Sequence, residues 1–211
     1  FIYMKAILLI LFASVLAVSC NNEKKNSTIT DEQKGDSVTI KPDNSINPFD
    51  PTDVSPMDMS YFPVDYPQLK ISKGTTEPPK ARIIYSRPHL GGRRLFQNLL
   101  SYNEPWRLGA NEATEIDFYK DATIQGKKIK AGRYILYCIP EKEKWTIVLN
   151  NNIDSWGLHP DTSQDIARFQ IPVTTTTSSL EYFTMYFKQL NAGAELVMAW
   201  DYLEARLPMS F

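Results

Sequence analysis

Between Glu181 and Lys188 the chain alternates, with Phe183, Met185 and Phe187 in one register and Tyr182, Thr184 and Tyr186 in the other. A period of two fits a strand that turns one face to a core and leaves the other partly wet. Similar short segments, rich in β-branched or aromatic residues and closed by Gly, Pro, Asn or Asp, recur at Ala81 to Ser86, Thr114 to Tyr119, Arg133 to Ile139, Lys144 to Asn150, Asp165 to Val173 and Ala194 to Leu203. Ile124-Gln-Gly-Lys-Lys-Ile129 and Pro140-Glu-Lys-Glu-Lys144 read as hairpin connections. Only Arg94 to Leu100 has helical character, and it is a turn or two long. This pattern predicts an all-β domain over residues 67–211, an antiparallel β-sandwich of jelly-roll-like kind.

The N-terminal part is of another kind. Met4-Lys5, the apolar run Ala6 to Val18 and Ser19-Cys20 have the charged start, short hydrophobic centre and small residue of a secretory signal. The run is shorter than the about 20 apolar residues a transmembrane helix needs. Ala17-Val18-Ser19-Cys20 resembles the lipobox of bacterial lipoproteins, with Leu16 one place further from the cysteine than usual. Residues 1–19 are therefore expected to be a lipoprotein signal peptide, with Cys20 the lipidated first residue of the mature chain. That address implies the cell envelope, on the periplasmic or outer-membrane face. Residues 20–66, dominated by Asn, Lys, Asp, Ser, Thr and Pro, are expected to form a flexible linker. About 45 such residues hold a domain on the order of 40 Å from its anchor. Within this segment Met57, Met59, Tyr61, Phe62 and Tyr66 suit either an arm laid on the domain or a sticky linker.

The whole chain of 211 residues has a formal net charge of -1, which argues against nucleic acid as a partner. With Cys20 lipidated, Cys138 stands alone among apolar neighbours, as a buried small hydrophobe does.

One stretch reads as more than scaffold. From Tyr85 to Asp117 the chain sets Arg87, Arg93, Arg94, Arg107, Asn111 and Glu112 between Gly and Pro breakers, with Phe96 and Trp106 as anchors. A long polar loop in a β domain is where a site is expected. Arg107, Asn111 and Glu112 join a planar cation, an amide and a carboxylate across a bend assigned to Gly109. Arg107 suits a carboxylate, phosphate or sulfate; Arg87, Arg93 and Arg94 could line an anion pocket, with at most one of the adjacent pair on the face of Arg87; and Trp106, Trp156 and Tyr102 could stack on a sugar. The competing reading is that Arg107 and Glu112 pair with each other, or with Arg87 or Arg93, as a clamp on the loop. Glu115 and Asp117 alternate with apolar residues and are expected to face solvent; His159 sits near a loop tip as a base or as a plain surface residue.

Tyr85-Ser-Arg-Pro88, Trp106-Arg-Leu-Gly-Ala-Asn-Glu-Ala-Thr114, Ala131-Gly-Arg-Tyr134, Trp145-Thr-Ile-Val-Leu-Asn150, Trp156-Gly157 and Asp165-Ile-Ala-Arg168 resemble the bacterial family catalogued as domain of unknown function 2911. The resemblance runs from about Ser55 to the C-terminus. It implies an exported protein, often a lipoprotein, and supplies no catalytic residues.

His-Glu-x-x-His, Gly-x-Ser-x-Gly, phosphate-loop and Cys-x-x-Cys signatures are all missing, and no cofactor or metal is expected. Binding is therefore the leading reading, of a small anionic or carbohydrate ligand or an envelope partner, through Arg87, Arg93, Trp106, Arg107, Asn111, Glu112 and Trp156. A hydrolase of glycan or another envelope polymer using Glu112, and a structural or assembly module, are the alternatives. If Cys20 carries the anchor, Cys20→Ser moves the protein from the membrane pellet to the soluble fraction and abolishes incorporation of labelled fatty acid.

Overall fold

The computed structural model describes residues 55–211; the predicted signal, Cys20 and the linker as far as residue 54 lie outside the described residues. The described chain is built on antiparallel strands, as the alternation requires. They are β1 (Met57–Phe62), β2 (Ala81–Ser86), β3 (Thr114–Phe118), β4 (Ala122–Ile124), β5 (Lys127–Ile129), β6 (Gly132–Pro140), β7 (Lys144–Asn150), β8 (Asp165–Leu190) and β9 (Gly193–Met209). A helix, α1 (Tyr66–Lys73), starts with Pro67 in its first turn and ends on Gly74 in the left-handed conformation.

The sheet runs β1-β2-β3-β6-β7-β8-β9, with β4 and β5 as a separate hairpin. Neighbours thus follow chain order, and the crossed connections of a jelly roll do not occur among the described strands. The two stretches predicted as separate strands, Asp165 to Val173 and Glu181 to Lys188, are the two halves of β8. A bulge between Thr175 and Leu180 in its pairing with β9 divides them. The first half pairs with β7. The second half reaches β1, where Phe187 N donates to Ser60 Oγ at 3.1 Å, so the sheet curls until it is nearly closed.

Phe183, Met185 and Phe187 point into the core, as their alternation predicts. They meet Tyr85, Ile83, Ile116, Leu136, Cys138, Trp145, Ile147 and Leu196 there. Cys138 is fully buried, and burial pushes its thiol well above the ordinary range. Of the two expectations for Met57 to Tyr66, the arm on the domain holds. Met57–Phe62 pairs along its whole length with β2, so the linker expected to run to residue 66 ends before Met57.

The curl is locked by one buried hydroxyl. Tyr85 Oη accepts from the backbone N–H of Met185 at 2.7 Å and stands 3.1 Å from the Met185 carbonyl and 3.2 Å from Asp58 Oδ2. Tyr85→Phe leaves the buried Met185 N–H without an acceptor, which costs about 1–3 kcal/mol. Urea denaturation of the two proteins measures it; an unchanged midpoint would show that the hydroxyl does not hold β2 to β8.

Candidate functional site

The long loop between β2 and β3 is fastened to the sheet at its start, middle and end. At its start, Phe183 N donates to the Pro88 carbonyl and Leu90 N to that of Glu181, so the loop leaves β2 by pairing with β8. Gly91 N donates to Glu181 Oε1 at 2.7 Å. The predicted helical turn is a π-type turn, Leu95–Leu99, with Leu95 buried and Phe96 stacked on Tyr102 at 3.9 Å between ring centres. At its end Trp106 exchanges both backbone hydrogen bonds with Cys138 of β6. Its ring is only 8% exposed, packs against Trp145, Phe183 and Trp200, and donates Nε1 to the Gly109 carbonyl.

The bend after Trp106 is not made by glycine. Leu108 and Asn111 take positive φ of 51° and 59°, while Gly109 supplies space: a Cβ there would lie 3.1 Å from Thr114 Oγ1 and 3.2 Å from the Ser86 carbonyl. Gly157 has both roles. Its φ is +81°, and a Cβ would stand 2.9 Å from Ala113 Cβ and 3.2 Å from Arg107 Cβ. The loop after β7 thereby lies directly against the Arg107 to Ala113 segment.

Between these segments opens a cleft of about 550 Å3. Its apolar walls are Pro88, Leu99, Leu100, Pro105 and Leu158; its charged residues are Arg93, Arg107 and Glu104, with His89 and Ser101 beside them. Trp106 and Trp200 close it toward the core.

Of the residues expected to converge, Arg93, Trp106 and Arg107 line this cleft, and Arg87, Asn111, Glu112 and Trp156 do not. Arg87 binds the Phe183 carbonyl and Thr184 Oγ1 and pairs with Asp58 at 3.5 Å, tying β2 to β8 and β1. Trp156 is 58% exposed and contributes a carbonyl oxygen, 3.5 Å from Arg107 Nη1, instead of a ring to the site. Asn111 offers its carbonyl to Arg107 Nη1 at 2.6 Å. Glu112 is exposed and makes no ion pair with Arg107, so the expected clamp between them is absent. His159 is exposed. Glu115 and Asp117, expected to face solvent, carry a cross-strand ladder: Asp117 is buried under Arg82 at 2.6 Å and Arg133 at 3.1 Å, and Arg133 also reaches Glu115.

Glu104 stands beside Trp106 in the chain but carries no signal that sets it apart from a surface carboxylate, and Leu158 reaches the same wall only through the fold. The cleft's distinguishing feature is electrostatic. Arg82, Arg87, Arg133, Arg168 and Arg206 each have a carboxylate partner. Arg93, Arg94 and Arg107 have none among the described residues. Arg93 donates to the carbonyls of Leu90 and His89, and Arg107 to that of Asn111. Burial holds the Arg107 guanidinium below its ordinary range.

Residues 67–209 match the family described as Protein of unknown function (DUF2911), and the chain belongs to it. No curated protein and no solved structure matches it.

The loop that carries Gly157 is itself tethered by a polar knot. Asp165 accepts from Tyr137 Oη at 3.0 Å, from Asn150 Nδ2 at 2.9 Å and from Arg168, and Asn150 also reaches the Asp161 carbonyl. Burial, with Asp165 beside it, pushes the Tyr137 phenol up to about 12. A folded pKa raised above that of the unfolded chain, about 10, gives stability that is whole below that value and lost as pH rises toward about 12. The stability of Tyr137→Phe is accordingly expected to fall less steeply between those values, measured by urea denaturation across the alkaline range. Parallel curves for the two proteins would contradict this.

Proposed function

We propose that this protein is a binding module of the cell envelope, anchored through Cys20, whose cleft takes the carboxylate of a small acidic ligand on Arg107. The supporting observation is that Arg107, partly stripped of water, is met among the described residues by the backbone carbonyls of Asn111 and Trp156 and by no carboxylate. A guanidinium in that state gains more than a solvated one from a bound anion, and its planar fork matches a carboxylate. Pro88, Leu99, Leu100, Pro105 and Leu158 give the rest of such a ligand an apolar wall.

Hydrolysis is the weaker reading. Glycoside hydrolysis uses two carboxylates across the scissile bond. Among the described residues that line the cleft Glu104 is the one carboxylate, and Glu112 lies outside it. The sugar-stacking role expected of Trp106 also falls away at this cleft, since the faces of that ring are taken up by the core.

Galacturonate serves as the probe and galactose as its uncharged control. By calorimetry galacturonate binds and galactose does not. Arg107→Ala weakens binding about tenfold to a hundredfold, the worth of a charge-assisted hydrogen bond. Arg107→Lys restores little of it, and circular dichroism of both variants is unchanged. Equal affinity for the two sugars, or full binding by folded Arg107→Ala, would refute the assignment.

A further inference from the structure

Arg107 is not the lone cation without an acid. Among the described residues, the arginines that have no carboxylate partner are Arg93, Arg94 and Arg107, and they fall on two adjoining hollows. A second hollow of about 520 Å3 is lined by Arg93, Arg94, Phe96, Asp201, Tyr202 and neighbouring backbone. Arg93 lines both, so Arg107, Arg93 and Arg94 mark out one path across the π-type turn.

The second hollow also has what the first lacks, an accessible aromatic ring. Tyr202 is 50% exposed although its strand is otherwise largely buried. The cause is the irregular pairing of β8 with β9. Four residues, Thr176 to Ser179, are looped out between the pairs Thr175 with Leu203 and Leu180 with Asp201. Asp201 takes a φ of 52°, and its carboxylate accepts from Ser179 Oγ at 2.9 Å. Bulges of this kind re-aim side chains beside sites. Phe96, on the other wall, is held in place by its stack on Tyr102.

Cations repeated along a path, with an exposed aromatic at one end, suit a chain that repeats a carboxylate and presents ring faces. The geometry points to an acidic oligosaccharide as the ligand, a uronic acid chain with one sugar in the cleft at Arg107, the next carboxylate at Arg93, and a ring on Tyr202 beside Arg94. This rests on the anion-binding reading of the cleft and extends it from a single acid group to an elongated glycan. Asp201 also lines this hollow and keeps its negative charge while it accepts from Ser179 Oγ, so the sugar at this end presents its ring to Tyr202 and its carboxylate to Arg94, turned away from Asp201.

The test compares galacturonate with its linear trimer on the full chain. A second occupied subsite raises affinity at least about tenfold for the trimer. Tyr202→Ala removes that gain and leaves binding of the monomer unchanged; Arg94→Ala reduces the gain. Monomer and trimer binding equally would overturn the extended site and leave the cleft assignment intact. A trimer advantage that survives in Tyr202→Ala would overturn the placement on Tyr202. Failure of both sugars to bind would overturn the cleft assignment together with its extension. An acidic peptide of equal charge that matches the trimer would show that charge alone is read, which also overturns it.

Discussion

Trp106 holds the loop and the sheet in one piece, and the cleft exists because it does. Its backbone is bound to Cys138 on β6, its indole N–H to Gly109, and its ring to Trp145, Trp200 and Phe183, which come from β7, β9 and β8. Three consecutive, paired strands thus meet on one side chain that belongs to a loop preceding all of them. Loss of such a ring to alanine costs about 3–5 kcal/mol. The neighbouring residue, Arg107, inherits that fixity: with Trp106 seated, its Cα has no freedom to leave the cleft wall.

Side chains on a loop are normally held less precisely than those on a sheet. Here the loss is small, because the loop is tied at each stage by buried contacts. Pro88 and Leu90 pair with β8, Leu95 enters the core, and Thr114 Oγ1 donates to the Leu108 carbonyl at 2.7 Å to close the turn. The side opposite Arg107 is set by Gly157, whose missing Cβ lets two loops touch. Preorganised donors of this kind lose little entropy when a ligand arrives.

The strands were legible because burial on one face imposes a period of two, and Phe183, Met185 and Phe187 report it directly. The closing of the sheet was not, since nothing in a local pattern says that residues 58, 85 and 185 will meet. For the same reason β8 was read as two strands: Thr174 to Ser179 carries no apolar alternation, and the strand continues through a bulge that only tertiary pairing sustains. In the loop, Arg93, Trp106 and Arg107 do line one cleft, but the other residues grouped with them by proximity in the chain do not. Glu112 follows Arg107 closely and was an obvious partner. A positive φ at Leu108 and at Asn111 turns the backbone between them, and the two side chains part. Asp117 was misread for a related reason: outer faces of sheets need not be wet where arginines on adjacent strands cover them.

Those arginines also bear on what Arg107 is for. On the sheet's outer face this chain pairs its guanidiniums thoroughly, with Arg82 and Arg133 on Asp117, Arg168 on Asp165, and Arg206 on Glu195 and Glu204. Carboxylates are near Arg107 as well: Glu104 is on the same cleft and Glu112 in the same loop. Neither comes within ion-pairing distance; for Glu112, the positive φ of Leu108 and of Asn111 turns the backbone that lies between it and Arg107. Closing that gap would change folding stability little, because an ion pair at a partly exposed arginine contributes about 0–1 kcal/mol. A receptor loses by closing it, because an internal carboxylate would compete with the ligand for the same donors. The charge separation in this loop is therefore close to neutral for folding, and among the described residues it leaves the Arg107 guanidinium on the cleft wall with no carboxylate against it.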